Sequence, residues 1–220
     1  PLFPHQSEAL FKCKQILDEK VNARVMLHMP TGSGKTRTAM HLVARHLNNR
    51  RAGVVLWLAS GQELCEQAAE AFEKAWSNLG ERTIPLKRFW GSQGKWLVDL
   101  EDCMLVAGLG KLWSAWNNYD PGEKVKRANN VSLIIFDEAH QSTAPTYRKM
   151  IEELLRRNSD IRLLGLSATP GRSHADGNTD SDSDLVSLFA GNKVPLSVDG
   201  YDSPIQFLQD EGYLSKIELD

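Results

Sequence analysis

Cysteine is scarce in this sequence: Cys13, Cys65 and Cys103 are the only three in 220 residues. They form no CxxC pair, which argues against a zinc site or a disulfide framework. Reduced core thiols in an intracellular, cytoplasmic protein are the expectation. Long apolar runs are also missing. None approaches the roughly 20 residues that cross a bilayer, so no membrane partner is expected. The chain has no excess of positive charge, with a net charge of −2. That excludes a generally basic, histone-like binder but leaves room for a local basic groove, because phosphate contacts depend on where Lys and Arg sit. There is no internal repeat, initiator Met or signal-peptide pattern; the chain starts at Pro1 and reads as cut from something longer.

What is present suits a soluble globular domain: 41% hydrophobic and 25% charged residues in 24.6 kDa. Residues 1–220 are expected to form one medium domain with a sizeable core. Short apolar runs alternate with helical stretches. Helical spacing appears over Gln6–Lys20, Lys35–Leu47, the segment carrying Leu64, Ala68, Phe72 and Ala75, Lys111–Trp116 and Tyr147–Arg156. Strands are expected at Val25–Met29, Val54–Ala59, Leu86–Trp90, Met104–Ala107, Val131–Phe136 and Ile161–Leu166. Several of these are apolar at consecutive positions, as strands buried on both faces are. The pattern predicts an α/β doubly wound fold, a mostly parallel sheet with helices on both faces. Such sheets bind ligands at the carboxyl ends of their strands. Asn117–Asn130 is polar, carries Pro121-Gly122 and reads as a loop or ragged helix end. Arg172–Asp184, rich in Asp, Ser and Gly, reads as a surface loop.

Pro30-Thr31-Gly32-Ser33-Gly34-Lys35-Thr36 lies between a predicted strand and a predicted helix. There the glycines let backbone N–H groups curl inward onto phosphate oxygens, and the helix N-terminus adds partial positive charge. Lys35 would reach the β- and γ-phosphates, and the Thr36 hydroxyl would hold Mg²⁺. The strict GxxxxGK[ST] pattern wants glycine where this chain has Met29, so the match rests on its GSGKT core. An ordinary Gly-rich turn is the plainer alternative.

Leu133–Phe136 runs into Asp137-Glu138-Ala139-His140, which puts two acids at a strand's carboxyl end. A carboxylate there, Asp137, can hold Mg²⁺ through its water shell, and Glu138 can polarise an attacking water. The bland alternative is a solvated acidic turn. Leu164–Leu166 leads into Ser167-Ala168-Thr169-Pro170. Ser167 and Thr169 suit hydrogen bonding to the Asp137 and His140 region, coupling the nucleotide state outward; a structural turn fits them equally well.

In that order, PTGSGKT, DEAH and SATP resemble motifs I, II and III of the first RecA-like domain of superfamily 2 helicases. Asp137 follows Lys35 by 102 residues and Ser167 follows Asp137 by 30. The tail, Leu185–Gly191 and Glu211-Gly212-Tyr213-Leu214-Ser215, is closer to the type III restriction and DNA-repair branches than to DEAD-box RNA helicases. The resemblance implies a RecA-like P-loop NTPase fold, ATP and Mg²⁺ as ligands, and a nucleic-acid track, with DNA favoured over RNA. It also implies a second RecA-like domain that supplies arginines, so this piece alone should hydrolyse little ATP. Leu2–Gln6 looks like the family's adenine-reading segment, with Phe3 where the family usually has Arg. The Gln6 amide, both donor and acceptor, matches the N6 and N7 edge of adenine.

Ser60-Gly61-Gln62 falls in a segment similar to motif Ia, and Gly108 with Lys111 in a later strand–turn motif. With Arg172, these are the expected contacts to nucleic-acid phosphates. An RNA helicase or remodeller is the nearest rival. A nucleotide switch that never translocates is the other, and intact Lys35, Asp137 and Glu138 argue against it. Trp90, Trp96, Trp113 and Trp116 read as core or rim packing before base stacking. His41 and His46 have no acidic partner at metal spacing.

Overall fold

The computed structural model describes residues 1–19, 22–49, 53–94, 101–139, 145–168, 186–198, 201 and 203–213. Seven strands form one sheet: β1 Arg24–His28, β2 Gly53–Ala59, β3 Leu86–Phe89, β4 Asp102–Gly108, β5 Val131–Phe136, β6 Arg162–Ser167 and β7 Lys193–Pro195. They lie in the order β3-β4-β2-β5-β6-β1-β7, and every pairing is parallel. Seven helices accompany them: α1 Pro4–Glu19, α2 Lys35–Asn49, α3 Gln62–Leu79, α4 Leu109–Asn118, α5 Pro121–Asn130, α6 Pro145–Arg157 and α7 Pro204–Asp210.

The consecutive apolar runs are explained by two cores, one on each face of the sheet. Along β2, Val55, Trp57 and Ala59 enter one core while Val54, Leu56 and Leu58 enter the other. Successive side chains of a strand point to opposite faces, so a strand covered on both sides must be apolar throughout. Helices α1, α2 and α3 cover the first face; α4, α5 and α6 cover the second. The three cysteines are buried free thiols; burial pushes Cys13 up to about 12 and Cys65 and Cys103 up to about 11. Trp90 and Trp116 are core residues, each 3% exposed. His46 meets the Ser132 hydroxyl at 2.8 Å.

The sequence reading misses three elements. Residues 121–130 form a complete helix, where Pro121-Gly122 suggests a loop or a ragged helix end. Asp120 caps it, its carboxylate accepting the Glu123 N–H at 2.9 Å, and Pro121 occupies the first turn, where no N–H is needed. The three-residue β7 and the seven-residue α7 are too short to show a period. Arg172–Asp184, His140 and Thr169 lie outside the described residues.

Gly165, in the middle of β6, lets two layers approach closely. A Cβ there would stand 2.4 Å from Phe189 Cζ and 3.0 Å from Ala139 Cβ. Phe189 is 1% exposed and cannot swing into solvent. Gly165→Ala should therefore cost about 1–3 kcal/mol by overpacking, read by urea denaturation, and Phe189→Leu in the same chain should restore part of the loss. Equal stability of parent and Gly165→Ala would show that this layer is loose.

Candidate ATP and nucleic-acid site

The parallel sheet brings the carboxyl ends of all its strands to one edge, and those expected site residues that are described lie at or beside it. β1 ends at His28; Met29 is fully buried and its N–H donates to the Ser167 carbonyl at 3.1 Å. The position lacking glycine thus directs its side chain into the core. Burial, helped by the charges of Lys193 and Lys35, holds His28 down at about 4. Gly32 and Gly34 have φ of 81° and 92°, a region that favours glycine. Buried Ser33 turns its hydroxyl back onto the Pro30 carbonyl at 2.6 Å. Lys35 opens α2, its ammonium donating to the carbonyls of Met29 at 3.1 Å and Pro30 at 3.3 Å. Thr36 follows it, half-buried, while Thr31 is exposed.

Gln6 lies against this loop. Its Nε2 donates to the Ser33 carbonyl at 2.9 Å, and its Oε1 accepts the Phe3 N–H at 3.2 Å. The amide keeps one N–H and one lone pair beyond these bonds. His5, which the sequence reading left unassigned, brings Nε2 to 3.3 Å from the same Ser33 oxygen. Gly34 permits this approach: a Cβ on it would fall 2.2 Å from Gln6 Nε2. Gly34 thus answers both the loop's φ and the closeness of α1.

Asp137 continues β5 by one bond, its N–H donating to the Leu58 carbonyl at 2.9 Å, and its Oδ1 accepts the Glu138 N–H at 3.1 Å. Glu138 has φ of 56°, a left-handed backbone that costs a non-glycine residue about 1–3 kcal/mol. Desolvation and then the neighbouring Glu138 raise Asp137 to about 6, against opposing pulls from the Glu138 N–H, Lys35 and Trp57. The Trp57 indole N–H is buried near Asp137 but makes no bond of hydrogen-bond geometry, so its pull is the weak one. Lys35 is lowered by desolvation, while Glu138 and Asp137 pull it back up. A half-buried ammonium that feels the charge of two acids suits the mixed charge of a magnesium nucleotide. Among the described residues there is no cluster of three or more His, Cys, Asp or Glu that could hold a metal. Mg²⁺ keeps several waters and needs only one or two protein oxygens plus phosphates. Thr36 and Asp137 are the residues that would supply them.

A second group lies further along the same edge. Ser60 follows the last residue of β2 and Gly61 caps α3; Gly108 ends β4 and caps α4, and Ala59 pairs with Gly108 across the two strands. Neither cap has a side-chain hydrogen bond, so two helix N-termini stand side by side with first-turn N–H groups and positive dipole ends. Ser60 and Gln62 are exposed. Lys111 is engaged locally: its ammonium donates to the carbonyls of Gly91, Gln93 and Gly94 at 3.1, 2.5 and 3.0 Å and lies 4.6 Å from the Phe89 ring centroid. It shapes the loop after β3, a role the sequence did not reveal. His140, Thr169 and Arg172 lie outside the described residues; Ser167 is buried beside the phosphate loop.

The raised Asp137 carries a pH signature in the metal-free protein. A folded value near 6 against an ordinary 3.8 means a stabilising contribution present below 3.8 and lost as pH rises through 6. Asp137→Asn, which resembles the protonated acid, should equal the parent near pH 4 and exceed it by about 1–3 kcal/mol above pH 7. Denaturation series from pH 4 to 8 read this; parallel curves would remove the assigned desolvation.

A family model described as type III restriction enzyme, res subunit, matches residues 1–172. The chain is 26% identical over 182 residues to the putative ATP-dependent DNA helicase fml2 of Schizosaccharomyces pombe, covering 79% of this chain and 22% of that protein. It is 28% identical over 171 residues to the ATP-dependent RNA helicase DHX58 of Mus musculus, covering 75% and 25% respectively. It thus spans about a quarter of the length of these curated relatives. Among solved structures, the Hef helicase domain of Pyrococcus furiosus matches with TM-score 0.64 and 22% identity, over 90% of this chain and 38% of that one. The UvsW helicase of bacteriophage T4 matches with TM-score 0.61 and 19% identity, over 88% and 59%. Fold and family model agree: the chain has the fold of the RecA-like domains of solved helicases and belongs to the type III restriction enzyme res-subunit family.

Proposed function

We propose that residues 1–220 form one ATP-binding motor domain that hydrolyses ATP to ADP and phosphate when paired with a second RecA-like domain, and steps along nucleic acid. The observation that carries this reading is the convergence of Lys35, Asp137 and Glu138 at one sheet edge, beside the paired N-termini of α3 and α4. Lys35 neutralises charge on the β- and γ-phosphates, a task suited to a compact ammonium at a helix N-terminus. Mg²⁺, held by Thr36 and Asp137, supplies further charge neutralisation when bound. Glu138 positions the attacking water and accepts its proton. Gln6 reads adenine with its remaining N–H and lone pair, while its other two bonds hold it against the loop. The second domain supplies arginine to the γ-phosphate, worth about 10³–10⁵ in rate in related chemistry, so the isolated domain turns over little.

The track follows the adjoining helix N-termini. Backbone N–H groups near Gly61 and Gly108 grip phosphates without reading bases, so binding is indifferent to sequence and falls with salt. Ser60, Gln62 and Arg172 add hydroxyl, amide and guanidinium contacts; Ser167, Thr169 and His140 couple the two sites. DNA is favoured by the restriction-type family model and the tail resemblance. RNA is the second reading, supported by the similarity to the mouse RNA helicase.

In the full-length protein, Glu138→Gln should retain ATP binding while turnover falls about 10²–10⁴-fold, and Lys35→Ala should abolish binding. Stimulation of the parent ATPase should be larger with DNA than with RNA of equal length. Parental turnover by Glu138→Gln would sink the base assignment, and stimulation by RNA alone would replace the DNA track.

A further inference from the structure

The opposite edge of the sheet, at the amino ends of the strands, holds a cavity of about 230 Å³ between α1, α2, β5 and β6. Its floor is four leucines, including Leu10 of α1 and Leu42 of α2. Its rim carries Lys14, Arg45 and Arg162, with Asp18 as its acid. That acid is already committed, to Lys14 at 2.8 Å and more loosely to Arg162 at 4.0 Å. Arg162 also donates through Nε to the Leu17 carbonyl at 2.6 Å, answering the carboxyl end of α1. Arg45 is different. It is exposed and has neither a hydrogen-bond nor an ion-pair partner among the described residues. Next to the cavity stands Phe11, 62% exposed and about 60° round α1 from Lys14 by helical geometry. An unpaired arginine, a leucine-lined hollow and an exposed aromatic thus share one small surface.

We infer that this surface docks an acidic peptide segment of a partner protein. One leucine- or phenylalanine-sized side chain of that segment fills the hollow, and its carboxylates pair with Arg45 and Lys14. The charge balance selects the class: three cations meet one acid that is already neutralised. A guanidinium fork accepts a carboxylate in two parallel bonds, and a single apolar anchor in a desolvated pocket is where peptide interfaces concentrate their energy. Nucleic acid fits less well. The hollow takes one leucine-sized apolar anchor, which a peptide side chain supplies and a sugar–phosphate run does not. The site stands apart from the nucleotide edge and does not depend on the ATPase reading. From Leu133 to Asp137, four residues of β5 span about 13 Å.

The test uses the whole chain and a labelled twelve-residue synthetic peptide of Asp and Glu with one central leucine, followed by fluorescence anisotropy. Saturable binding is expected, weakened at least tenfold by Arg45→Glu in the protein and by serine in place of leucine in the peptide. Unfolding midpoint and Mg-ATP binding of Arg45→Glu should match the parent, since the side chain holds nothing in the fold. The inference is overturned by absence of saturable binding or by equal affinity of parent and Arg45→Glu. It is equally overturned if a single-stranded oligonucleotide takes the site in an Arg45-dependent way, or if the chain self-associates through Arg45.

Discussion

Every strand of this sheet runs the same way, and the rest of the molecule depends on that. Parallel pairing sends each carboxyl end, and the amino end of each following helix, to a single edge. The phosphate loop after β1, the acids after β5 and the serine after β6 meet without any long excursion of the chain. The caps of α3 and α4 arrive two strands along by the same rule. Backbone N–H groups and helix dipoles therefore provide positive potential in a chain whose net charge is −2. A parallel sheet must also be covered on both faces, which is why the core divides in two and why β5 is apolar from end to end.

Within that edge, close approach does what charge alone cannot. Gly34 lets α1 come near enough for Gln6 and His5 to share the Ser33 carbonyl, so α1 and the glycine-rich loop form one unit. Gly165 plays the matching part behind the acids, where Phe189 and Ala139 close on β6. The Glu138 backbone is left-handed at that same point, with φ of 56°. Desolvation sets the electrostatics: it raises Asp137 and lowers Lys35.

The sheet, and the position of the Gly32–Lys35 loop and of Asp137 and Glu138 at its carboxyl edge, were legible in the sequence because buried parallel strands are continuously apolar and a tight loop with positive φ demands glycine. Val131–Phe136 agrees to the residue, and Lys35 opens its helix as expected. Within Asn117–Asn130, read as a loop or ragged helix end, the helix over 121–130 was missed because Pro-Gly punctuates a helix start as well as a turn, and Asp120 decides which. The lengths of β7 and α7 fall below any usable period. Contacts between distant segments left no local trace: His5 on Ser33, Trp57 beside Asp137, and Lys111 folded over the loop at Gly91–Gly94 all come from tertiary placement. The bare sequence suggested a free phosphate-binding cation at Lys111, whereas three carbonyls and an aromatic face already hold it.

The central claim is that nucleotide sits between the phosphate loop, the start of α1 and the carboxyl end of β5. Amide hydrogen exchange of the chain, with and without saturating Mg-ADP, tests it most directly. Slower exchange is expected across residues 31–38, 3–9 and 137–139, with α5 and the far half of α2 unchanged. Protection confined to other segments, or none at 31–38 while the nucleotide is demonstrably bound, would contradict it.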